Sequence, residues 1–133
     1  MVVFADTFYF LALLDQRDEH HKRVLGFAAS YRDELVTTRW VLAEVANALG
    51  GSPIRIATIK FLQRLETDAS FRIISDNDSL YERGFALYAA RPYKEWSLTD
   101  CVSFVVMADE EIADALTRDH HFKQAGFNPL FAD

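Results

Sequence analysis

The sequence predicts an α/β fold, with a mostly parallel central sheet of about five strands and helices on both faces. Three observations predict it. Short apolar runs alternate with longer helical patterns along the whole chain, as βαβ units do. The first run, Val2 to Ala5, is continuously apolar, as expected of a strand buried on both faces. The chain has 133 residues, 50% of them hydrophobic, with five Gly and three Pro. A chain of this size buries roughly two-thirds of its unfolded surface and builds a core without staples.

The elements follow in order. After the Val2–Ala5 strand, Thr7 to Leu14 has helical composition. Glu19 to Tyr31 reads as a second helix, with Val24, Phe27 and Ala28 on one face. Leu35 to Thr37 is a short strand. Trp40 to Leu49 is helical and stops at Gly50-Gly51. Ser52-Pro53 opens another helix, with Pro in the first turn and a face of Ala57, Phe61 and Leu65. Phe71 to Ser75 is a strand, and Ser79 to Ala90 a helix that ends before Pro92. Ser97 starts a helix running to about Glu110. Asp114 to Thr117 is the fourth strand, His120 to Ala125 a short helix closed by Gly126, and Pro129 to Phe131 a final edge strand. No repeat, linker or low-complexity segment interrupts this order, so residues 1–133 are read as one domain.

Composition excludes a disordered or collagen-like chain. One cysteine, Cys101, allows no intrachain disulfide. The longest apolar run, Phe8 to Leu14, is far short of a membrane span, and no basic region precedes it. The expectation is a soluble cytoplasmic protein. The net charge of −6 argues against nucleic-acid binding, unless several carboxylates gather in one site and are neutralised by metal ions.

In an open parallel sheet the functional crevice lies beyond the carboxyl ends of the strands. Asp6 follows the first strand and Asp119 the fourth. Asp100 lies near the start of the Ser97 helix, and Glu44 lies inside a helix. Asp6, Glu44 and Asp100 are isolated: none has a Lys or Arg at helical i±3 or i±4 spacing. Unpaired carboxylates in apolar settings are costly, and a divalent cation with oxygen ligands is a shared explanation. Each acid except Glu44 also has a bland reading. Asp6 could cap the Thr7 helix, Ser97 to Asp100 has capping-box spacing, and Asp119 could cap the His120 helix. Glu44 sits in a helix apolar nearly all round and is expected to be buried.

Other features point elsewhere. The adjacent pairs His20-His21 and His120-His121 read as solvated helix surface, because neighbours on a regular helix diverge. Cys101 reads as a small core residue. Arg55, Lys60 and Arg64 lie along one helix and read as a solvated face sooner than a phosphate track. Trp40, Tyr93 and Trp96 read as core or rim packing. No dinucleotide, Walker A or serine-hydrolase motif occurs.

The acids carry a family resemblance. Asp6 in VVFADT, Glu44 in VLAEVANAL, Asp100 in SLTDCVSFVVM and Asp119 in ALTRDHHFKQAGF resemble, in order and context, the PIN-domain ribonucleases, specifically the small VapC-type toxins of type II toxin–antitoxin systems. The resemblance covers essentially the whole chain. It implies a PIN-like three-layer α/β/α sandwich and a metal-dependent endoribonuclease that hydrolyses RNA phosphodiester bonds with Mg²⁺ or Mn²⁺. It implies that Asp6, Glu44 and Asp100 are the core metal ligands and that Asp119 completes the cluster. Thr7, Thr99 and Thr117 would then hold the carboxylates by hydrogen bonds. It further implies an antitoxin partner and a homodimer. A competing expectation is a non-catalytic PIN-like module that binds RNA or protein. A receiver-like phospho-acceptor is disfavoured, because no Lys follows the strand ending at Thr117 until Lys123.

Overall fold

The computed structural model describes residues 1–51 and 53–133, so Ser52 lies outside the described residues. Five strands form one sheet in the order β3-β2-β1-β4-β5, and every pairing is parallel. The strands are β1 (Val3–Ala5), β2 (Leu35–Thr38), β3 (Phe71–Ile74), β4 (Asp114–Leu116) and β5 (Asn128–Pro129). The helices are α1 (Thr7–Leu14), α2 (His21–Ser30), α3 (Arg39–Ala48), α4 (Arg55–Leu65), α5 (Asp78–Ala90), α6 (Leu98–Asp109) and α7 (His120–Gln124). None of these helices is long and apolar enough to cross a membrane.

Burial explains the layout. The three residues of β1 are fully buried, as a central strand covered on both faces requires. On one side β1 pairs with β2, with Val3 opposite Leu35; on the other it pairs with β4, with Phe4 opposite Ala115. Thr37 adds a buried hydrogen bond from its hydroxyl to the Ala5 carbonyl, 2.8 Å. Helix α1 packs on α2 and α3, and α3 on α4, while α5 lies along α6 and α6 meets α7. Phe10 of α1 meets Phe61 and Phe71, whereas Phe104 of α6 meets Trp96 and Phe122. These contacts make the helical layers of a three-layer α/β/α sandwich.

Several expectations change. Helix α2 begins at His21 rather than Glu19, because the Asp18 carboxylate accepts the His20 N–H at 2.8 Å and holds a turn there. Helix α4 begins at Arg55; Pro53 lies in the preceding turn, and Ser52 is not described. Its buried residues are Thr58 and Leu65, with Phe61 and Leu62 half-buried, while Ala57 is exposed. Helix α3 ends before Gly50-Gly51 as expected, but neither glycine is left-handed; only Gly126, after α7, takes a positive φ, of 97°, among the described glycines. Glu44 is half-buried, not buried, because Ala43, Ala46, Asn47 and Ala48 turn one side of α3 to solvent. The His20-His21 pair is not a free surface: the His21 ring nitrogen bonds the Ala12 carbonyl at 2.7 Å, and His20 meets the Phe8 ring edge-on. Arg55 bonds the Gly50 carbonyl at 2.8 Å, and Arg64 lies over the Phe61 ring.

Candidate active site

Strand order reverses between β1 and β4, the two neighbours from which the chain proceeds to opposite edges of the sheet. Such a switch point opens a crevice at the carboxyl ends of the strands. Asp6 directly follows β1, and Thr117 directly follows β4. Asp6 occupies the N-cap position of α1 with extended backbone, yet its side chain caps nothing. Its Oδ2 instead accepts a hydrogen bond from the Thr117 hydroxyl at 2.9 Å. The same Thr117 oxygen accepts the backbone N–H of Asp119 at 3.0 Å. One fully buried threonine therefore ties the acid after β1 to the acid after β4.

The other two acids arrive on helices. Asp100 completes the capping box of α6: its backbone N–H bonds the Ser97 hydroxyl at 3.0 Å, and its Oδ2 accepts the Ser97 N–H at 3.1 Å. Asp119 caps α7 through the His121 N–H, 2.8 Å from Oδ1. Capping thus fixes these carboxylates without consuming all their lone pairs. Glu44 accepts the Thr7 hydroxyl at 2.6 Å, which anchors it to the residue after Asp6. Glu44 also lines a surface cavity with Trp40, Asp76 and Thr99. Thr7 and Thr117 each bond a carboxylate; Thr99 is placed beside Glu44 in that cavity.

The electrostatics are those of an acidic group short of cations. Asp6 is 8% exposed, and burial pushes its carboxyl up to about 7. The Thr7 amide and Thr117 hydroxyl pull it down, while Asp100 and Asp119 push it further up. Burial also raises Asp100; the Ser97 N–H opposes this, Asp119 adds to it, and His121 opposes it. Asp6, Asp100 and Asp119 therefore share one field, and Glu44 joins them through Thr7. Among the described residues, no Lys or Arg pairs with any of the four. The arginines pair elsewhere, Arg39 with Glu66, Arg72 with Glu34 and Glu110, Arg83 with Asp109, and Arg118 with Asp133. Oxygen donors gathered without a basic partner fit a divalent cation.

Sequence reasoning missed His121. Its Nδ1 lies 3.3 Å from Asp100 Oδ2 and 3.3 Å from Asp119 Oδ1, and its side chain is 17% exposed. The imidazoles of His120 and His121 do not diverge, their centroids being 4.4 Å apart. The available signal was the histidine two residues after Asp119. Of the aromatic residues expected to pack, Trp96 is buried and Trp40 half-buried, whereas Tyr93 is exposed. Trp96 donates to Gln124 Oε1 at 2.9 Å, and Trp40 donates to Asp76 Oδ1 at 3.0 Å.

Comparison with known proteins agrees with this fold. The family model for the PIN domain matches residues 3–128. A curated relative, the 23S rRNA-specific endonuclease VapC20 of Mycobacterium tuberculosis, is 25% identical over 136 residues, covering 95% of each chain. The crystal structure of that species' VapC20, described as a sarcin–ricin loop cleaving toxin, superposes with a TM-score of 0.85 at 24% identity, over 96% of each chain. FitAcB from Neisseria gonorrhoeae has a TM-score of 0.66 at 20% identity, over 98% of this chain and 99% of the other. A toxin–antitoxin complex from Klebsiella pneumoniae has a TM-score of 0.63 at 17% identity, over 89% and 87%.

Proposed function

The chain belongs to the PIN-domain family, and we propose that it is an endoribonuclease toxin that hydrolyses RNA phosphodiester bonds with Mg²⁺ or Mn²⁺. The observation that carries this reading is the gathering of Asp6, Asp100 and Asp119 in one field at the switch point, with no lysine or arginine against them among the described residues. Asp6, Glu44, Asp100 and Asp119 are the residues that would hold the cation. When bound, a divalent ion activates water and offsets charge on the phosphate, so no side-chain nucleophile is needed.

The chain's own residues do the positioning. Thr117 and Thr7 orient Asp6 and Glu44 by donating to them, which aims these carboxylates. The capping box locks Asp100 to the first turn of α6. Thr99 and Trp40 line the surface cavity beside Glu44. The resemblance to VapC-type toxins extends the reading to an antitoxin partner, a homodimer and a cytoplasmic setting.

The relative matched over 95% of its length is described as 23S rRNA-specific and its crystal structure as that of a sarcin–ricin loop cleaving toxin, so a sarcin–ricin loop hairpin is the first substrate to offer, beside total RNA. Cleavage is measured with Mg²⁺ or Mn²⁺, against EDTA and against Asp100→Asn. Cutting that disappears in both controls is the expected result. Normal cutting by Asp100→Asn and Asp6→Asn sinks the assignment.

A further inference from the structure

We propose that His121 and His120 join Asp119 and Asp100 in a mixed nitrogen–oxygen site for a first-row transition cation, so that this acidic centre selects such a cation over Mg²⁺. The inference rests on the metal-dependent reading above. It goes beyond that reading in the nature of the donors.

The spacing carries the argument. Among the described residues, the group of metal-capable side chains that closes most tightly is Asp119, His120 and His121, with one ligand atom from each all within 4.8 Å of one another. His121 Nδ1 stands 3.3 Å from both Asp119 Oδ1 and Asp100 Oδ2, and His120 Nδ1 stands 3.7 Å from Asp119 Oδ1. A charge-assisted nitrogen–oxygen hydrogen bond spans about 2.7–2.9 Å, so these contacts are long for ion pairs. Two ligands held at about 2.1 Å from a common ion lie about 3.0 Å apart on an octahedral edge and about 3.4 Å apart on a tetrahedral one. The observed 3.3 Å spacings lie within the range of donors that share an ion, and the His121–Asp100 contact is also a long hydrogen bond.

The surroundings support this. Asp119 Oδ1 is fixed by the His121 backbone N–H at 2.8 Å, so the carboxylate is preset. Asp100 is preset by Ser97, and its side chain is only 13% exposed. The Asp119 side chain is 33% exposed and that of His120 73%, which leaves an entry path from solvent. Imidazole nitrogen suits first-row cations such as Zn²⁺, Fe²⁺ and Ni²⁺, and affinity for a mixed nitrogen–oxygen site rises along the series from Mn²⁺, whereas Mg²⁺ holds to oxygen ligands in a near-ideal octahedron.

The test reads the metal directly. The full chain is loaded with Mn²⁺ and analysed by pulsed electron paramagnetic resonance for coupling to ¹⁴N, with wild type, His121→Gln, His120→Gln and the double variant. Mn²⁺ and Mg²⁺ affinities are measured by calorimetry on the same proteins, after circular dichroism establishes that each is folded. Nitrogen coupling in wild type that is lost in the double variant is expected. So is a fall in Mn²⁺ affinity of about tenfold or more, with Mg²⁺ affinity within about twofold. Absence of coupling in wild type overturns the proposal, as does coupling or Mn²⁺ affinity unchanged in the double variant. The nuclease reading fails separately: RNA cleavage without nitrogen coupling defeats only this proposal, and nitrogen-bound Mn²⁺ without RNA cleavage defeats only the nuclease.

Discussion

At the scale of single residues, Asp6 concentrates the conflict between fold and site. Its carboxyl sits at about 7 against an ordinary 3.8, because burial disfavours the charge. At about 1.4 kcal/mol per pKa unit, holding it ionised at pH 8 without a cation costs up to ~4 kcal/mol. Asparagine has the same shape, still accepts the Thr117 hydroxyl and carries no charge. Asp6→Asn should therefore be more stable than wild type to urea at pH 8 in EDTA, while cleaving no RNA. An equally stable or weaker variant would show that Asp6 is not strained by its charge. Thr117 gives a complementary case. Thr117→Val removes the hydroxyl that both donates to Asp6 and accepts from the Asp119 backbone. Its volume is conserved, so the expected effect is a loss of about 10- to 100-fold in cation affinity and cleavage, the usual scale for groups that orient ligands. Calorimetry with Mn²⁺ reads the first and hairpin cleavage the second.

At the scale of elements, α5 and α6 show how packing fixes the position of Asp100. A methyl group at Gly84 would lie 2.6 Å from Val102 Cγ2 and 3.4 Å from the Val102 backbone. Valine is β-branched and cannot turn aside, so Gly84→Ala must push α6 away. The expected cost is about 1–3 kcal/mol, as for other overpacked cores. Because Val102 lies two residues from Asp100, cation affinity should fall with it. Thermal melts with and without Mn²⁺ check both, and a neutral Gly84→Ala would mean that the helices have room. Elements of this kind were unevenly legible in the sequence. The bounds of α1 and the capping box of α6 could be read, since apolar composition and Ser97…Asp100 spacing are local signals. The buried face of α4 could not. A strict four-residue repeat drifts 40° per step around a helix, so Phe61 and Leu65 fall on the real face while Ala57 drifts off its edge; that face mixes steps of three and four through Thr58, Phe61, Leu62 and Leu65. Asp6, Glu44 and Asp100 could be singled out because each lacks a local basic partner; Asp119, with Lys123 four residues on, could be singled out only by its place after the fourth strand. His121 could not, because its partners Asp100 and Asp119 are brought to it by two elements, α6 and the turn after β4, whose meeting is a tertiary event.

At the scale of the whole molecule, the excess of acids that gives the net charge of −6 includes the four carboxylates of the site, none of which an arginine pairs among the described residues. Arg39, Arg72, Arg83 and Arg118 pair with acids other than the four of the site, although Arg39 shares the cavity that Glu44 lines. Stability should then depend on pH in a direction opposite to that of ordinary surface pairs. Asp109, Glu66 and Asp68 have lowered carboxyls, so they stabilise above their unfolded values and lose that contribution only as pH falls into the acid range. Asp6 and Asp100 are raised, so the folded state holds protons that the unfolded chain has released. Their contribution is full below an unfolded value of 3.8 and is lost as pH rises through the folded value, about 7 for Asp6. Between pH 5 and 8 Asp6 dominates, and in EDTA its contribution should decline across that window. A cation that binds only the folded, ionised site adds about 2.7 kcal/mol at one hundred times its dissociation constant. It must compete with the protons on Asp6, so its effect should grow with pH. Urea unfolding at pH 5, 6, 7 and 8, with EDTA or saturating Mn²⁺, should give two curves that diverge toward pH 8. A gap of constant size from pH 5 to 8 would mean that the cation does not engage Asp6, and the four-acid centre would have to be redrawn without it.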